Sequence, residues 1–305
     1  MPRYPQSVET CIARFCEYME SESQYYTERT VAFYREHCHA AFKIISEEDP
    51  CVLPQSVTRE HIQYLFSEMQ SRGYAIKTLK LYMGALKQIC RYYHNNIFDS
   101  VKIRYPVDVR PNVDWLSNEQ VDKLISFNKT PAQELVVHLE LFLGFRKIEC
   151  VRLTVNDLHD GYLDVRGKGS ASGKLRRLPY HKDTQLVLDR YLKYRAGVIE
   201  WYTSKYGYAV IPDNLMIWAS KNGIMQYSGE RATGIDRLIH TLSKDVGFKF
   251  SSHTLRRTFG RILYRSGVPI ATISKFYGHD DLSTTIRYLG LDMDDMTDAM
   301  KLFPY

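Results

Sequence analysis

Apolar residues recur at the spacing of an α-helix in four successive segments of the first hundred residues, and this pattern limits what the chain can fold into. The four apolar sets are Val8, Cys11, Ile12, Phe15, Cys16 and Met19; Val31, Tyr34, Cys38, Phe42 and Ile45; Ile62, Leu65, Phe66 and Met69; and Ile76, Leu79, Met83, Leu86, Ile89, Cys90 and Tyr93. Residues three or four apart share one face of a helix, so each set predicts an amphipathic helix with one buried side. Four such helices form a small all-α domain, which we assign to residues 1–103.

The four helical segments are followed by a stretch without periodicity. Residues 104–114 contain Pro106 and Pro111, and proline favours extended backbone in the residue before it. Ser117 and Gln120 then match a capping box, the pattern that opens a new helix. The sequence therefore predicts a linker over 104–114 and a second domain over 115–305, whose last residues, 289–305, form a tail.

The second domain is predicted to be mainly helical with one strand-rich patch. Residues 161–182 alternate between apolar and polar side chains around a Gly/Ser-rich centre, which is typical of a β-hairpin with a loose turn. The predicted fold class is therefore mainly α with a small β-hairpin or sheet, arranged in two domains.

The positive charge of the chain is concentrated in the second domain. The whole chain has 41 Lys and Arg against 35 Asp and Glu, a net +6. The first 103 residues hold 12 of each sign, whereas residues 104–288 hold 28 basic against 19 acidic residues, a net +9. A local basic surface of this kind fits a phosphate-bearing partner, although a solvated basic hairpin would have the same composition. The candidate DNA-contacting residues are Arg166, Lys174, Arg176, Arg177 and Arg257.

Several classes of site and location are disfavoured by the sequence. The six cysteines all lie in the first half and form no C-x-x-C pair, so we expect neither a disulfide framework nor a zinc site. A phosphate-loop pattern fails because Gly167 and Gly173 are one residue too far apart and Leu175 replaces the Ser/Thr. No apolar run approaches the ~18–20 residues that cross a bilayer, and the first residues contain no signal-peptide core. We therefore expect a cytoplasmic protein without ATP, metal or other cofactor.

Four polar side chains near the end of the chain stand out by their order. His253 and Arg256 fall in the first turn of a predicted helix, three residues apart and so on one face. His279 follows Gly278, a predicted helix stop, and Tyr288 lies nine residues further on. Each has an ordinary explanation when taken alone: a helix cap, a surface cation, a loop residue and a core tyrosine.

Taken together, these residues resemble a known family. The pattern H-x-L-R starting at His253, G-H with its histidine 26 residues later, and Tyr288 nine residues after that is similar to the carboxy-terminal signature of the tyrosine recombinases, also called phage-type integrases. Tyr277 is a departure, since leucine is frequent before the G-H pair in that family.

The upstream half of the second domain resembles the same family. Leu143-Gly-Phe-Arg146, followed by Glu149, is similar to the segment that carries the family's first arginine. Gly167-Lys168-Gly169 is similar to the hairpin that carries its lysine. The motif match spans residues 143–288, while residues 1–103 resemble the family's core-binding domain in size and helix count only.

The resemblance implies an activity and a set of roles. Members of the family cut and rejoin DNA at specific sites through a 3′-phosphotyrosyl intermediate, which conserves bond energy and requires neither ATP nor metal. Tyr288 would be the nucleophile, His253 its base and His279 a further donor to the phosphate. Lys168, with Lys174 as the competing candidate, would protonate the leaving 5′-oxygen. The implied catalytic residues are Arg146, Lys168, His253, Arg256, His279 and Tyr288.

The resemblance also implies partners. Strand exchange in this family uses four protomers on two duplexes, so we expect a double-stranded DNA recombination site, a tetramer on it and a nucleoid-associated location. In the tail, an apolar set at roughly helical spacing predicts packing on a neighbouring or on the same catalytic domain. This set consists of Met293, Met296, Met300, Leu302 and Phe303.

Two other functions remain open at this level. A catalytically silent DNA-binding accessory protein of the same fold would be expected to lack at least one catalytic group. A relaxase of the type IB topoisomerase kind would share the tyrosine chemistry but act without a defined site.

Overall fold

The computed structural model describes residues 7–106, 114–167, 175–227 and 232–290. Its contacts divide the chain into two compact units, Met1–Pro111 and Asn112–Tyr305. Most of the predicted linker, the tail from residue 291 onward, and both Lys168 and Lys174 lie outside the described residues. The described part is mainly helical with two small antiparallel sheets, which confirms the predicted fold class.

Within its described residues, the first unit contains the four predicted helices, one short additional α-helix and a 3₁₀ turn at Pro54–Ser56. Its elements are α1 (Val8–Ser21), α2 (Glu28–Ile45), α3 (Arg59–Ser71), α4 (Ile76–Tyr92) and α5 (Ile97–Ser100). The side chains of Ser7 and Thr27 accept hydrogen bonds from the backbone N–H groups of Thr10 and Thr30, which explains where α1 and α2 begin. The apolar faces of α1 to α4 meet in one core, as their periodicity predicts.

The second unit is built from eight helices within the described ranges. They are α6 (Asn118–Ser126), α7 (Pro131–Phe142), α8 (Lys147–Arg152), α9 (Lys182–Tyr206), α10 (Thr233–Val246), α11 (Ser252–Arg265), α12 (Ile270–Tyr277) and α13 (Leu282–Leu289). The predicted capping box is confirmed at the start of α6, where Ser117 and Gln120 bond each other's backbone N–H groups.

The predicted hairpin is confirmed as part of a three-stranded antiparallel sheet. Its strands are β1 (Leu158–His159), β2 (Tyr162–Arg166) and β3 (Leu175–Pro179), in the order β1-β2-β3. Val165 pairs with Arg176, so residues of β2 and β3 on that face turn toward the core of the unit. A second hairpin, β4 (Ile217–Ser220) with β5 (Gly223–Gln226), lies beyond the end of α9.

Close packing around α11 brings distant segments of the second unit together. Helix α11 packs against α7 and α13, and α12 packs against α13. Gly144, in the turn between α7 and α8, has φ +65°, and a Cβ there would lie 2.5 Å from the ring of Phe259 on α11. Only glycine meets both conditions, so this turn lets the start of α8 approach α11 closely. Among the described residues, no helix is both long and apolar enough to cross a bilayer.

Candidate active site

Helix α11 presents two of the predicted catalytic residues. Ser251 caps the helix by accepting a hydrogen bond from the Thr254 N–H, so the helix begins at Ser252. His253 and Arg256 therefore lie one turn apart on the same face, as their spacing predicts. The ordinary explanation of Arg256 as a surface cation is excluded, because only 1% of its surface is exposed.

The guanidinium of Arg256 is held by backbone carbonyls from two other segments. Its Nη1 donates to the Gly144 carbonyl, and its Nη2 donates to the Tyr277 carbonyl at 2.8 Å. Nη2 also lies 3.4 Å from His279 Nε2. Burial, followed by the repulsion from Arg146, lowers the pKa of Arg256 to about 10, so the group stays charged at neutral pH.

Glu149 is the negative charge at the centre of this cationic cluster. Its side chain is fully buried, and Oε1 accepts from Arg146 Nη1 at 2.9 Å while Oε2 accepts from the Arg146 N–H at 2.8 Å. Arg256 Nη1 lies 3.8 Å from Oε2. The two predicted catalytic arginines therefore share one carboxylate.

Two buried carboxyls of the second unit differ in charge state because their neighbours differ. Burial alone would raise the pKa of Glu149, but the hydrogen bonds and positive charges of Arg176, Arg256 and Arg146 lower it to about 2. Glu140 is also fully buried, and burial raises its pKa to about 8. At neutral pH Glu149 is therefore ionised, whereas Glu140 is mostly neutral.

Arg176, one of the candidate DNA contacts, is directed into the second unit rather than toward solvent. Its Nη1 and Nη2 donate to the two oxygens of Glu149 at 2.9 and 2.8 Å, and its Nε donates to the Phe276 carbonyl at 3.2 Å. Only 12% of its side chain is exposed. The period of two along β3 turns it inward with Leu178, while the neighbouring Arg177 points out with 70% of its side chain exposed. We therefore assign Arg176 to the interior of the site.

His279 stands at the predicted helix stop and faces the same cluster. Helix α12 ends at Tyr277, and Gly278 turns the chain with φ +61°. His279 Nδ1 lies 2.9 Å from the Oγ1 of Thr285, a fully buried residue of α13. Burial and the positive charges of Arg256, Arg146 and Arg176 lower the pKa of His279 to about 4, so the ring is neutral at pH 7. Because a guanidinium can only donate, Nε2 accepts from Arg256, and Nδ1 carries the proton.

Tyr288 reaches His253 from α13. The phenol oxygen of Tyr288 lies 2.8 Å from Nδ1 of His253, 35 residues away in the sequence. Its ring also lies 5.8 Å from the Arg256 guanidinium and 5.4 Å from that of Arg257. Partial burial, followed by the charges of Arg257 and Arg256, lowers the pKa of His253 below its ordinary 6.5. The neutral ring can therefore accept the proton of the phenol.

The other predicted DNA-contacting residues have different surroundings. Arg166, with 55% of its side chain exposed, lies 3.5 Å from Asp157 Oδ1, and the exposed Arg177 pairs with Asp164 at 3.2 Å. Arg257 is half-buried against Tyr288. Lys174, like the predicted catalytic Lys168, belongs to the segment outside the described residues.

A cavity of about 350 Å³ lies beside this cluster. Its lining residues are Arg146, Gly167, Leu175, Arg176, Arg177, Lys275, Gly278, His279 and Asp280. Four of these carry positive charge, so the cavity suits an anion. In the ranges that the structure covers, no three His, Cys, Asp or Glu side chains converge in a way that could hold a metal ion.

Three residues of this site have a larger role than the sequence alone indicates. Arg176 could have been assigned inward from strand alternation, because it is two residues from the apolar Leu178. In the sequence, Glu149 is only one residue of the motif around Arg146, whereas in the structure it contacts both predicted catalytic arginines directly. Thr285 carried no signal, since a threonine in a helix is common and its contact to His279 depends on how α12 and α13 pack.

Comparisons with known proteins find similar sequences and similar folds. A family model described as the phage integrase family matches residues 114–294. The tyrosine recombinase XerA of Saccharolobus solfataricus is 24% identical over 257 residues, which cover 80% of this chain and 77% of the relative.

Solved structures share the fold over almost the whole chain. The Tn1549 transposon integrase in complex with a circular intermediate DNA matches with a TM-score of 0.68 at 16% identity, covering 98% of this chain and 100% of that one. A lambda integrase tetramer bound to a Holliday junction matches with a TM-score of 0.67 at 17% identity, covering 94% of this chain and 78% of that one.

Removal of the Glu149 charge tests its place in the cluster. We expect Glu149→Gln to lower the free energy of unfolding of the second unit at pH 7 by about 3–5 kcal/mol, because it leaves buried guanidiniums without their counter-charge. The stabilisation by the ionised carboxylate is present above its ordinary pKa of 4.5 and is lost as the pH falls through about 2. The difference in the free energy of unfolding between the wild type and the variant should therefore shrink as the pH falls from 4.5 to about 2.

Urea unfolding followed by tryptophan fluorescence measures this effect, since Trp115, Trp201 and Trp218 all belong to the second unit. Glu140→Gln is the matched control, because it replaces an equally buried carboxyl that is already mostly neutral at pH 7. Equal losses of stability in the two variants would contradict the assignment of Glu149 as the counter-charge.

Proposed function

The chain belongs to the phage integrase family, the tyrosine recombinases, and we propose that it cuts and rejoins DNA at specific sites through a covalent bond between Tyr288 and a 3′-phosphate. Family membership makes the chain a site-specific DNA recombinase. The observation that carries the proposed mechanism is the 2.8 Å contact between the Tyr288 phenol and His253 Nδ1, beside the buried guanidinium of Arg256.

Tyr288 is proposed as the nucleophile and His253 as its base. A tyrosine phenol is protonated at neutral pH, so it must lose its proton as it attacks phosphorus. His253 is neutral because its pKa is lowered, and its Nδ1 already lies at hydrogen-bonding distance from the phenol oxygen. The new bond joins the phenol oxygen to phosphorus as the bond from phosphorus to the 5′-oxygen breaks. The phenol proton passes to Nδ1.

Arg146 and Arg256 are proposed to bind the non-bridging oxygens of the scissile phosphate. Charge gathers on these oxygens as the tyrosine attacks, and fixed guanidiniums stabilise it without reorganisation. Glu149 supports this role, because it orients both arginines and limits their mutual repulsion while leaving the cluster net positive.

His279 is proposed as a further donor to the phosphate. In the free protein its Nε2 accepts from Arg256, so donation to an oxygen requires the proton to move to Nε2. The Thr285 hydroxyl can then rotate and donate to Nδ1, since a hydroxyl is both donor and acceptor. The His279 ring can therefore accept from Arg256 in the free protein and donate to the phosphate in the DNA complex, and it is neutral in both.

The leaving 5′-oxygen needs a proton, and Lys168 remains our candidate donor with Lys174 as its competitor. Both belong to the segment between β2 and β3, which lies outside the described residues. Gly167 and Leu175, which flank the segment, line the 350 Å³ cavity together with Arg146 and His279. This arrangement supports a lysine donor from the hairpin.

A basic stripe on α4 is the proposed DNA contact of the first unit. Helix α4 has no acidic residue, and its cations follow one face at spacings of three, seven and four residues: Lys77, Lys80, Lys87 and Arg91. Gly84 lies in the middle of this stripe with open space around it, so a phosphate backbone can approach the helix. The rest of the neutral first domain has no comparable excess of positive charge.

The proposed partners and conditions follow from the chemistry and from the likeness to known complexes. One structural neighbour is a tetramer bound to a Holliday junction, and another is in complex with a circular intermediate DNA. We propose that four copies of this chain act on two duplexes. Because the phosphotyrosyl bond keeps the energy of the cleaved bond, no ATP and no metal are required in this mechanism. A cytoplasmic, nucleoid-associated location stays a prediction.

Covalent capture tests the nucleophile. The protein is incubated with fragmented DNA of the genome that encodes it and then denatured, and the DNA joined to protein is sequenced to define a site. On a nicked duplex of that site we expect a 3′-linked adduct with wild type and none with Tyr288→Phe. Arg146→Lys and Arg256→Lys should each slow adduct formation by about 10²–10³-fold.

Tyr264→Phe is the matched control, because Tyr264 is another partly buried tyrosine in the packing around Tyr288, and it should react at the wild-type rate. No adduct with wild type would favour the silent accessory protein. Relaxation of supercoils without any preferred site would favour the topoisomerase-like relaxase.

The pH dependence of the single-turnover rate tests His253. Only the neutral ring accepts the phenol proton, so the rate should be constant near pH 7 and fall tenfold per pH unit below the pKa of His253, which lies under 6.5. His253→Gln should be slower by about 10²–10⁴-fold and should not show this fall. An unchanged fall in the variant would assign the titration to another group.

Salt-dependent binding tests the α4 stripe. Lys77→Gln/Lys80→Gln should weaken DNA binding and reduce the slope of log Kd against log salt by about 2, since each lost phosphate contact reduces it by about 0.9. Arg29→Gln/Arg59→Gln removes the same charge from exposed positions on α2 and α3 and should keep the wild-type slope. The same reduction in both variants would show a general charge effect rather than a contact.

A further inference from the structure

Tyr277 is a buried tyrosine at the centre of the site that the proposed mechanism does not use. It is the last residue of α12, fully buried, and it directly precedes the turn that presents His279. Its ring meets the ring of Tyr288 edge to face, with centroids 5.5 Å apart, and lies 5.1 Å from that of His279.

Three contacts join Tyr277 to Arg256. The Tyr277 carbonyl accepts from Arg256 Nη2 at 2.8 Å, and the Tyr277 hydroxyl donates to the Arg256 carbonyl at 2.6 Å. The guanidinium carbon of Arg256 lies 4.4 Å from the centre of the Tyr277 ring, within the range of a cation–π interaction. The ring is therefore anchored to the main chain of the same arginine whose side chain it supports. Burial raises the pKa of the Tyr277 phenol, which keeps the hydroxyl protonated and able to donate.

Gly260 provides the space that this arrangement needs. It lies inside α11, where glycine is less favourable than alanine, and its φ is that of an ordinary helical residue. A Cβ at Gly260 would lie 2.0 Å from the Tyr277 hydroxyl oxygen and 2.8 Å from the adjacent ring carbon. Any other residue at this position would force the phenol away from the Arg256 carbonyl.

We propose that Tyr277 is a positioning residue that fixes the guanidinium of Arg256 for the scissile phosphate, and that Gly260 is its required partner. The inference rests on the proposed function, in which Arg256 binds that phosphate. Two carbonyls hold the edge of the guanidinium, and the aromatic ring holds its face. The donors left for the phosphate are thereby aimed before DNA arrives, which is the condition for effective stabilisation of developing charge.

The test compares single-turnover adduct formation on the nicked duplex defined by covalent capture. The proteins are wild type, Tyr277→Phe, Tyr277→Leu, Gly260→Ala and the double variant Tyr277→Leu/Gly260→Ala. Loss of the hydroxyl alone in Tyr277→Phe should slow adduct formation about tenfold at saturating protein, with DNA affinity unchanged. Tyr277→Leu should be slower than Tyr277→Phe, because it also loses the cation–π contact.

The double variant tests whether the role of Gly260 is to make room for the Tyr277 phenol. Gly260→Ala alone should slow the reaction more than Tyr277→Leu alone, because the new methyl group displaces the phenol. In the double variant no phenol is present to be displaced, so its rate should return to that of Tyr277→Leu. A double variant as slow as Gly260→Ala, or slower, would overturn the partnership.

A neutral substrate distinguishes a role of Tyr277 in positioning the Arg256 guanidinium from a role in packing alone. A methylphosphonate at the scissile position lacks the negative charge that Arg256 neutralises, so Tyr277→Phe and Tyr277→Leu should lose less activity on it than on phosphate. Equal losses on both substrates, or wild-type rates for both variants on phosphate, would overturn the inference. Tyr191→Phe is the matched control: it removes the hydroxyl of another fully buried tyrosine, on α9, and should react as wild type.

The thermal unfolding midpoint of each variant shows up to which temperature that variant stays folded. Adduct formation is then compared at a temperature at which all variants are folded. A wild type that forms no adduct would remove the proposed function and this inference with it. A wild-type adduct that disappears in Tyr288→Phe but is unaffected by Tyr277→Phe and Tyr277→Leu would remove this inference only.

Discussion

The site depends on one buried carboxylate that lies between three guanidiniums. Two unit charges of like sign about 4 Å apart repel by about 4 kcal/mol at an effective dielectric constant of 20. Arg146, Arg176 and Arg256 could not gather in a largely buried site without a counter-charge. Glu149 hydrogen-bonds the first two and lies 3.8 Å from the third, and this lowers its own pKa to about 2. The cluster remains net positive, as a site for a phosphodiester must be.

Close approaches at glycine bring the catalytic groups to this cluster. Gly144 lets the turn before α8 lie against Phe259, and its carbonyl receives Arg256. Gly278 turns the chain at the end of α12, so that His279 faces the arginines. Gly260 admits the phenol of Tyr277 into the surface of α11. A side chain at Gly144 or Gly260 would keep two segments apart, and Gly278 allows the left-handed turn after α12. These three positions explain how polar groups from α8, α11, α12 and α13 meet.

The fold was largely predictable because its signals are local. The four helices of the first unit, the capping box at Ser117 and the hairpin around residues 161–182 follow from periodicity and turn chemistry within about twenty residues. The inward direction of Arg176 also has a local signal, because strand alternation places it on the same face as the apolar Leu178. Its charge, in contrast, favours a DNA contact, whereas in the structure its guanidinium binds the buried Glu149. Thr285 had no local signal at all.

The sequence by itself determined the kinds of groups present and their order: arginines, histidines and a tyrosine at the spacings of a tyrosine recombinase, on elements whose starts and stops are encoded nearby. Only the tertiary structure decided which cations face inward and what each one touches. Arg176 and Glu149 are 27 residues apart, His253 and Tyr288 are 35 apart, and Arg256 and Gly144 are 112 apart. The direction of a buried side chain depends on the segment packed against it, and such contacts between distant residues form only when the whole unit folds.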